Sequence, residues 1–359
     1  VKIRQFLKIL LINLVSFVVL LLLANWGAKF LLRPLGQNLR YTLPNYDKDR
    51  DYAKEIFKDY NSVQHQYEPF VAWKTLPYTG KTTHIGTNGE RVHIAPAATD
   101  SLSPSIHFFG GSTMWGEGSD DQHTIPALVN VALPEARVFN HAQLAYNTRQ
   151  ELDALITLYS RNQRPDVVVF YDGVNDAAFL CPSEINNLPA HRLVPMFREK
   201  LYVKQTSLVK QVFYKLFLEN IIRVINQYSE GTKKPSPYNC LSEPGKAEEI
   251  ADIFMRNWEM ANEIVTARGG KFIAILQPAA FVGSPNTNHL TLDPDLGNNF
   301  NEVYRRIKLK IKEKNHPWIH DLSDRFDGSE TIYIDFCHVS PNGNELMAKS
   351  ITEILKATP

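Results

Sequence analysis

From Ser105 onward, short apolar runs alternate with stretches of helical periodicity, and this alternation limits the fold more than any other feature of the chain. Ile106–Phe109, Arg137–Asn140, Val167–Tyr171, Phe272–Leu276 and Trp318–Asp321 read as strands. Thr124–Ala132, Arg149–Arg161, Ala247–Arg268, Phe300–Lys314 and Pro341–Lys356 read as helices, the last opened by a Ser340-Pro341 cap and first-turn pair. Strands that alternate with helices make a parallel sheet covered on both faces. In such a sheet ligands sit at the carboxyl ends of the strands, so the loops there are where chemistry is expected.

Composition removes several function classes. The chain has 359 residues, 44% hydrophobic and 21% charged, with 39 basic against 38 acidic side chains. That apolar content excludes disorder over most of the length, and the near-zero net charge argues against bulk electrostatic binding of nucleic acid. Three cysteines without a CxxC pair make neither a disulfide scaffold nor a zinc site.

The amino-terminal part follows a different constraint. Ile9 to Ala28 is twenty residues without a charge, preceded by Lys2, Arg4 and Lys8 and ended by Lys29. As a helix it is roughly 30 Å long, enough to cross a bilayer core, and Trp26 suits the interface. A buried core helix and a cleaved signal peptide are the alternatives. Against cleavage, the pairs Leu22/Ala24 and Trp26/Ala28 each put a large residue at the outer position. The expectation is an uncleaved single-pass anchor over residues 1–30, in the cytoplasmic membrane. Positive charges flank both of its ends and give little orientation, but a single anchor before so long a chain most simply exports its domain. In an oxidising compartment Cys181 and Cys240 can pair; three unrelated thiols is an equal reading.

Residues 31–104 are expected to form a juxtamembrane linker and a small β-rich preface. The polar stretch 29–65 carries a short helix. Tyr67–Ala98 has turn signals at Thr79-Gly80 and Asn88-Gly89. Residues 105–359 form the main domain, with a helical insertion at about 181–245. There Leu208, Val209, Val212, Phe213, Leu216, Phe217, Ile221, Val224 and Ile225 recur at helical spacing among Lys204, Lys210, Lys215 and Arg223. Packing against the sheet is the default reading; a lid, or a helix on the membrane surface, is the alternative. Glu230–Pro237 reads as a loop.

Three strand ends carry suggestive residues, each weak alone. The first strand runs into Gly110-Gly111-Ser112, where the hydroxyl of Ser112 can be exposed, although Gly and Ser also mark ordinary turns. The third runs into Gly173-Val174-Asn175-Asp176, where Asn175 offers an amide donor or simply caps a turn. Near the end stands Asp335-Phe336-Cys337-His338. An Asp and a His three apart can face one way, the carboxylate holding one ring nitrogen while the other serves as base.

Together these blocks resemble the SGNH hydrolases, also called the GDSL esterase/lipase family. The resemblance spans about Ile106 to Leu355, with GGSTMWG at the nucleophile block, GVND at the GxND block and DFCHVSPNG at the DxxH block. It implies a flavodoxin-like three-layer α/β/α sandwich. It also implies Ser112 as nucleophile, His338 as general base and acid, and Asp335 as its orienting partner. Asn175 and the Ser112 backbone amide would contribute to an oxyanion hole. The family usually has glycines in a NxGxxGY-like block after the second strand, the second of them supplying a third oxyanion donor. Here Ala142 and Ala145 occupy both positions. The Ala145 N–H keeps that role if its dihedrals are not left-handed, while its methyl narrows the space for substrate.

The remaining candidates take plainer readings. Met114 and Trp115 can wall an acyl pocket or pack against the following helix, and Gln277 can touch substrate. His141 reads as a turn residue ahead of a site residue, His107 as core, and Asp172 as support for the Asn175 loop. Ser119-Asp120-Asp121 reads as a solvated turn that needs no metal. The function expected is a serine esterase acting on ester-linked acyl groups, acetyl above all, of an ester-bearing small molecule or an extracytoplasmic glycan, with a lipid ester as the next candidate. It would work through an acyl-enzyme and require no cofactor or metal. An O-acyltransferase is the close alternative. A catalytically weak glycan-binding or scaffolding component is the alternative from a different class.

Overall fold

The computed structural model describes residues 2–31, 39–92, 103–182, 208–229 and 238–358. Parts of three sequence readings therefore lie outside the described residues: linker residues 32–38, preface residues 93–102, and insertion residues 183–207 (with Lys204) and 230–237. The chain divides into two compact units, one of residues 1–39 and 196–236, the other of residues 40–195 and 237–359.

The larger unit is built on a parallel sheet. Before it come a helix, α2 (Arg50–Ser62), and two short antiparallel pairs, β1 (His65–Glu68) with β2 (Ala72–Thr75) and β3 (Tyr78–Thr79) with β4 (His84–Ile85). The main strands are β5 (Ser105–Gly110), β6 (Arg137–Asn140), β7 (Val167–Asp172), β8 (Lys271–Leu276) and β9 (Ile319–Asp321), in the order β6-β5-β7-β8-β9. That 2-1-3-4-5 order is flavodoxin-like. Strands β5, β7 and β8 are buried on both faces, which is why they read as apolar runs, with His107 in the middle of β5 as an exception.

Two cores cover the two faces. One packs Leu155, Phe170, Phe254, Trp258, Phe272 and Phe300 beneath α5 (Thr148–Ser160), α6 (Val174–Leu180), and two long helices met later in the chain. The other packs Phe108, Val169, Ile273, Ile275, Met347 and Ile351 beneath α4 (Ile125–Ala132) and the carboxyl-terminal helix. These are the layers of an α/β/α sandwich. A one-turn helix, α3 (Ser112–Trp115), follows β5. The Asn147 side chain and Gln150 form a capping box at the start of α5, which ties the loop after β6 to that helix.

The smaller unit contains α1 (Lys2–Leu31), whose Ile3–Leu31 stretch is long and apolar enough to cross a membrane. With it pack α7 (Leu208–Phe217) and α8 (Glu219–Ser229). The insertion thus forms two helices, and they group with α1, where one helix on the sheet was expected. The cause is Asn25, a buried amide inside the apolar run. Its Nδ2 donates to the Leu216 carbonyl at 2.8 Å, and its Oδ1 accepts from the Asn220 N–H at 2.9 Å, so it satisfies the backbone groups freed at the break between α7 and α8. Completing the chain are α9 (Lys246–Thr266), α10 (Pro294–Lys314) and α11 (Pro341–Ala357). Ser340 takes the expected place before α11, but its side chain makes no capping hydrogen bond.

Beneath the sheet's carboxyl edge three acids are buried with no cation against them among the described residues. Trp258 donates its indole N–H to Asp172 at 2.7 Å, and Thr148 donates its hydroxyl to Asp176 at 2.7 Å. Neither carboxyl oxygen of Glu151 has a donor among the described residues. Its contact is Asp172, and two carboxyl groups bond only if one carries a proton. Burial accordingly pushes Glu151 well above the usual carboxylate range, Asp172 up to about 6 and Asp176 up to about 7. Acids whose folded pKa is raised hold protons that the unfolded chain has released, so their contribution falls as pH rises from about 4 toward 7. Glu151→Gln removes one ionisation and supplies an amide donor. It should raise unfolding stability at pH 8 by on the order of 1–2 kcal/mol and change it far less at pH 4.5, read from melting curves at the two pH values.

Candidate active site

Parallel register brings three loops to one edge. Gly110 pairs with Tyr171, and Asp172 with Leu276, so the chain leaves β5, β7 and β8 at the same level. After β5, Gly111 leads into Ser112 at the start of α3. Gly111 is there for space: a Cβ on it would collide with Nδ2 of Asn175. After β7, Gly173 has φ +125°, a turn that L side chains rarely adopt, and it delivers Asn175 into the first turn of α6.

The fourth part is the turn before α11. Oδ1 of Asp335 accepts from the backbone N–H of Cys337 at 3.0 Å and of His338 at 2.8 Å, which fixes the turn. Its Oδ2 lies 2.7 Å from Nδ1 of His338, and the other ring nitrogen, Nε2, lies 2.7 Å from Oγ of Ser112. Ser112, His338 and Asn175 are 8%, 9% and 8% exposed, so the group is shielded yet not sealed. Asn175 spends one amide hydrogen on the Tyr146 carbonyl at 2.5 Å, leaving a second. Among the described residues the backbone N–H groups of Ser112 and Ala145 take no partner. A serine, an imidazole and a carboxylate in series, beside several amide donors, can transfer a proton and hold a developing oxyanion.

Two residues at this site carry no motif. Glu117, buried in the loop after α3, has Oε2 3.1 Å from Nε2 of His338. Arg40, a positive charge twelve residues beyond the apolar run that ends at Ala28, donates Nη2 to Glu117 Oε1 and Nη1 to Asp335 Oδ2, both at 2.6 Å. Its guanidinium also lies over the rings of Phe57 and Tyr60. The sole local hint was an acid between Gly116 and Gly118 in the nucleophile loop; Arg40 gave none.

Electrostatics follow from these contacts. Burial opposes charge on Asp335, but His338 and Arg40 hold it well below the usual carboxylate range. Burial lowers His338 and is outweighed by the carboxylates of Asp335 and Glu117, which raise it well above the ordinary histidine value. Asp335, Cys337 and His338 also have donor atoms close enough to share a metal ion. Burial pushes the Cys337 thiol up to about 12, however, and the imidazole is already committed to Asp335 and Ser112. That donor set suits hydrogen bonding better than metal ligation.

Other candidates take different places. Met114 and Trp115 are fully buried in the core under α4 and offer no surface to a substrate, which corrects the pocket-wall reading. Gln277 is buried too, and its Oε1 accepts from the Thr113 hydroxyl at 2.6 Å, so it braces the residue after Ser112. His141 has Nε2 2.7 Å from Nδ1 of His107, a ring-to-ring hydrogen bond, pairs through Nδ1 with Glu90 at 2.8 Å, and lies against the Phe109 ring, so it belongs to an aromatic row at the ends of β5 and β6. Ser119, Asp120 and Asp121 are buried where a solvated turn was expected, because Asp121 pairs with the buried Arg91 at 2.8 Å and Asp120 with His123 and Tyr52.

No protein-family model matches the chain, and no curated protein matches it. Among solved structures it is similar to a member of the lipolytic protein G-D-S-L family from Veillonella parvula, at 11% identity and TM-score 0.39 over 70% of this chain and 98% of that one. A carbohydrate acetylesterase from Sinorhizobium meliloti gives 13% and 0.40 over 71% and 99%. A family two carbohydrate esterase from Clostridium thermocellum, solved with cellohexaose, gives 13% and 0.37 over 75% and 67%. At such similarity these matches carry nothing about chemistry, which rests on the contacts above.

Ala145 decides one further point. Its φ is +64°, so the residue is left-handed, contrary to the condition set above for a third oxyanion donor. The alanine takes the turn of a glycine all the same, its N–H still meets no acceptor among the described residues, and the cost is backbone strain rather than loss of the donor. Left-handed backbone at a residue with a Cβ costs about 1–2 kcal/mol. Ala145→Gly should therefore stabilise the fold by up to about 1 kcal/mol after the entropy of a free glycine is deducted, as denaturant titration of the two proteins would reveal.

Proposed function

We propose that this chain is a serine esterase of the SGNH type that removes small ester-linked acyl groups, with O-acetyl groups on an extracytoplasmic glycan as its substrate class. What carries the proposal is the hydrogen-bonded series Ser112 Oγ, His338 Nε2, His338 Nδ1, Asp335 Oδ2, both links at 2.7 Å, at the carboxyl edge of a parallel sheet. Ser112 attacks the ester carbonyl and passes its proton to Nε2. The oxyanion is held by the amide of Asn175 with the backbone N–H groups of Ser112 and Ala145. The alcohol leaves with the proton from Nε2. Water then attacks the acyl-enzyme, gives a proton to Nε2, and the acid is released as Ser112 recovers its own. A sugar hydroxyl in place of water would make the same site an O-acyltransferase.

The Ala145 methyl beside the oxyanion position favours a small acyl group such as acetyl. A glycan acceptor and an extracytoplasmic site rest on the sequence resemblance together with the apolar helix α1. The Cys181–Cys240 disulfide supports an oxidising compartment. It also closes a loop across the insertion, with a sequence separation of 59 residues, and a loop of that length contributes about 4 kcal/mol in the chain-entropy account. The second reading, a catalytically weak glycan-binding component, is favoured by one observation: the left-handed alanine at the third oxyanion donor.

A fluorophosphonate probe separates the two on the full chain in detergent, which keeps Arg40 in place. The expected result is an adduct on Ser112 that is absent in Ser112→Ala and slowed at least about a thousandfold in His338→Ala. Asn175→Ala should lower kcat for acetate release from an acetylated sugar by about 10²–10³. A folded wild-type protein that takes no probe would leave the binding reading.

A further inference from the structure

Four side chains at the site close a ring. Arg40 Nη1 meets Asp335 Oδ2 at 2.6 Å, Asp335 Oδ2 meets His338 Nδ1 at 2.7 Å, His338 Nε2 meets Glu117 Oε2 at 3.1 Å, and Glu117 Oε1 returns to Arg40 Nη2 at 2.6 Å. The serine–histidine–aspartate series uses three residues of this site, and Glu117 and Arg40 are not among them. We infer that Glu117, held by Arg40, is a second carboxylate on His338, a positioning residue that brackets the imidazole opposite Asp335 and sets the pH at which Ser112 becomes reactive.

The geometry dictates what such a carboxylate does. A neutral imidazole with its proton on Nδ1, toward Asp335, presents a lone pair at Nε2. That lone pair accepts from Ser112 but meets only repulsion from the oxygens of Glu117. A protonated imidazole presents an N–H there, which Ser112 Oγ and Glu117 Oε2 can share. Glu117 therefore favours the imidazolium and has no attractive contact with the free base.

The surrounding charges point the same way. From its own turn His338 faces Asp335 and Cys337; from the nucleophile loop, Ser112 and Glu117; from the segment before the sheet, Arg40, Tyr46 and Tyr60. Burial keeps both tyrosines and the thiol protonated, so Asp335, Glu117 and Arg40 supply the charge. With a neutral imidazole the ring carries one net negative charge; with imidazolium it is neutral. In a buried site the neutral ring is favoured. The proton that Ser112 gives up during acyl transfer thus enters a ring that is completed by receiving it. The cost is a resting enzyme that must first lose a proton, which displaces the onset of activity to higher pH. Arg40 has the opposite effect from Glu117, because its positive charge offsets both carboxylates.

Opposite signs make the test. The consequence for rate rests on the esterase reading, whereas the ring itself is read without turnover, from the ring-nitrogen NMR shifts of ¹⁵N-histidine-labelled full chain in detergent, with His338 assigned through His338→Gln. Glu117→Gln keeps the shape of the side chain and should lower the His338 midpoint by about one pH unit or more. Arg40→Met added to that variant should raise it again, and Arg40→Met alone should leave His338 protonated to at least as high a pH as the wild type. An unchanged midpoint in Glu117→Gln overturns the proposal, as does a shift in the same direction from both substitutions. If Glu117→Gln fails to fold, a lowered midpoint in Arg40→Met alone overturns it and a raised one supports it. If the midpoints move as expected while Ser112 takes no fluorophosphonate, the ring stands and the esterase reading falls. Where both hold, the acid limb of kcat/KM follows the histidine midpoint in every variant.

Discussion

A single buried guanidinium, that of Arg91, holds the loop on which the site depends. Between α3 and α4 the chain has no ladder to satisfy its backbone, and the carbonyls of Trp115, Gly116 and Ser119 turn inward. Arg91 meets them with Nη1 at 3.2 and 2.7 Å and Nη2 at 2.7 Å, while Nε donates to Asp121 at 2.8 Å and Nη2 also reaches the Thr83 hydroxyl. All five donors are used, which is what makes so buried a charge tolerable. Glu117 lies inside the stapled segment, so its approach to His338 follows from Arg91. The segment before the sheet also reaches the loop after β6, where the Trp73 indole donates to the Leu144 carbonyl and Gln143 bonds Thr75 and Gly89. Residues 40–92 are thereby part of how the site is built.

The two groups of buried acids near the sheet edge have opposite solutions. Asp335 and Glu117 are held below the usual carboxylate range because Arg40 and His338 lie against them, whereas Glu151, Asp172 and Asp176, with no cation against them among the described residues, are pushed above it by burial. Burial is common to both, so the presence of a cationic partner decides. The consequence reaches the chemistry. Asp176 is the chain neighbour of Asn175, and a full negative charge there would oppose the oxyanion proposed to sit at Asn175. Raising Asp176 to about 7 weakens that conflict at and below neutral pH.

The sheet was legible in the sequence because central parallel strands must be apolar on both faces. All five strands lie within one residue of where the runs Ile106–Phe109, Arg137–Asn140, Val167–Tyr171, Phe272–Leu276 and Trp318–Asp321 put them. The start of α10 was missed by six residues, since Pro294 to Asn299 follows the Asp293 cap with mostly polar residues and little periodicity. The insertion was misread for a different reason. Its periodicity announced an apolar face, but periodicity is silent about the partner, and Asn25 reads in the sequence as one polar residue within a membrane-length run.

The site was legible where its parts are close in the chain and illegible where they are not. Asp335 and His338 share one turn, and Ser112 and Asn175 follow strands that could be recognised. Arg40 meets Glu117 across 77 residues and Asp335 across 295, distances over which no spacing rule operates. Ala145 is the instructive middle case, since the alanine was visible and its dihedral was not. On one side of it the Leu144 carbonyl accepts from the Trp73 indole. On the other, Tyr146 donates its hydroxyl to the Trp73 carbonyl at 2.5 Å and accepts from Asn175 through its own carbonyl. With both neighbours fixed, the chain between them has little choice of path, and Ala145 takes up the left-handed turn. A strained residue persists when its surroundings over-determine it. Here the over-determining contacts include Asn175 itself, so the group that would hold the oxyanion also imposes strain on the residue whose N–H would share that task.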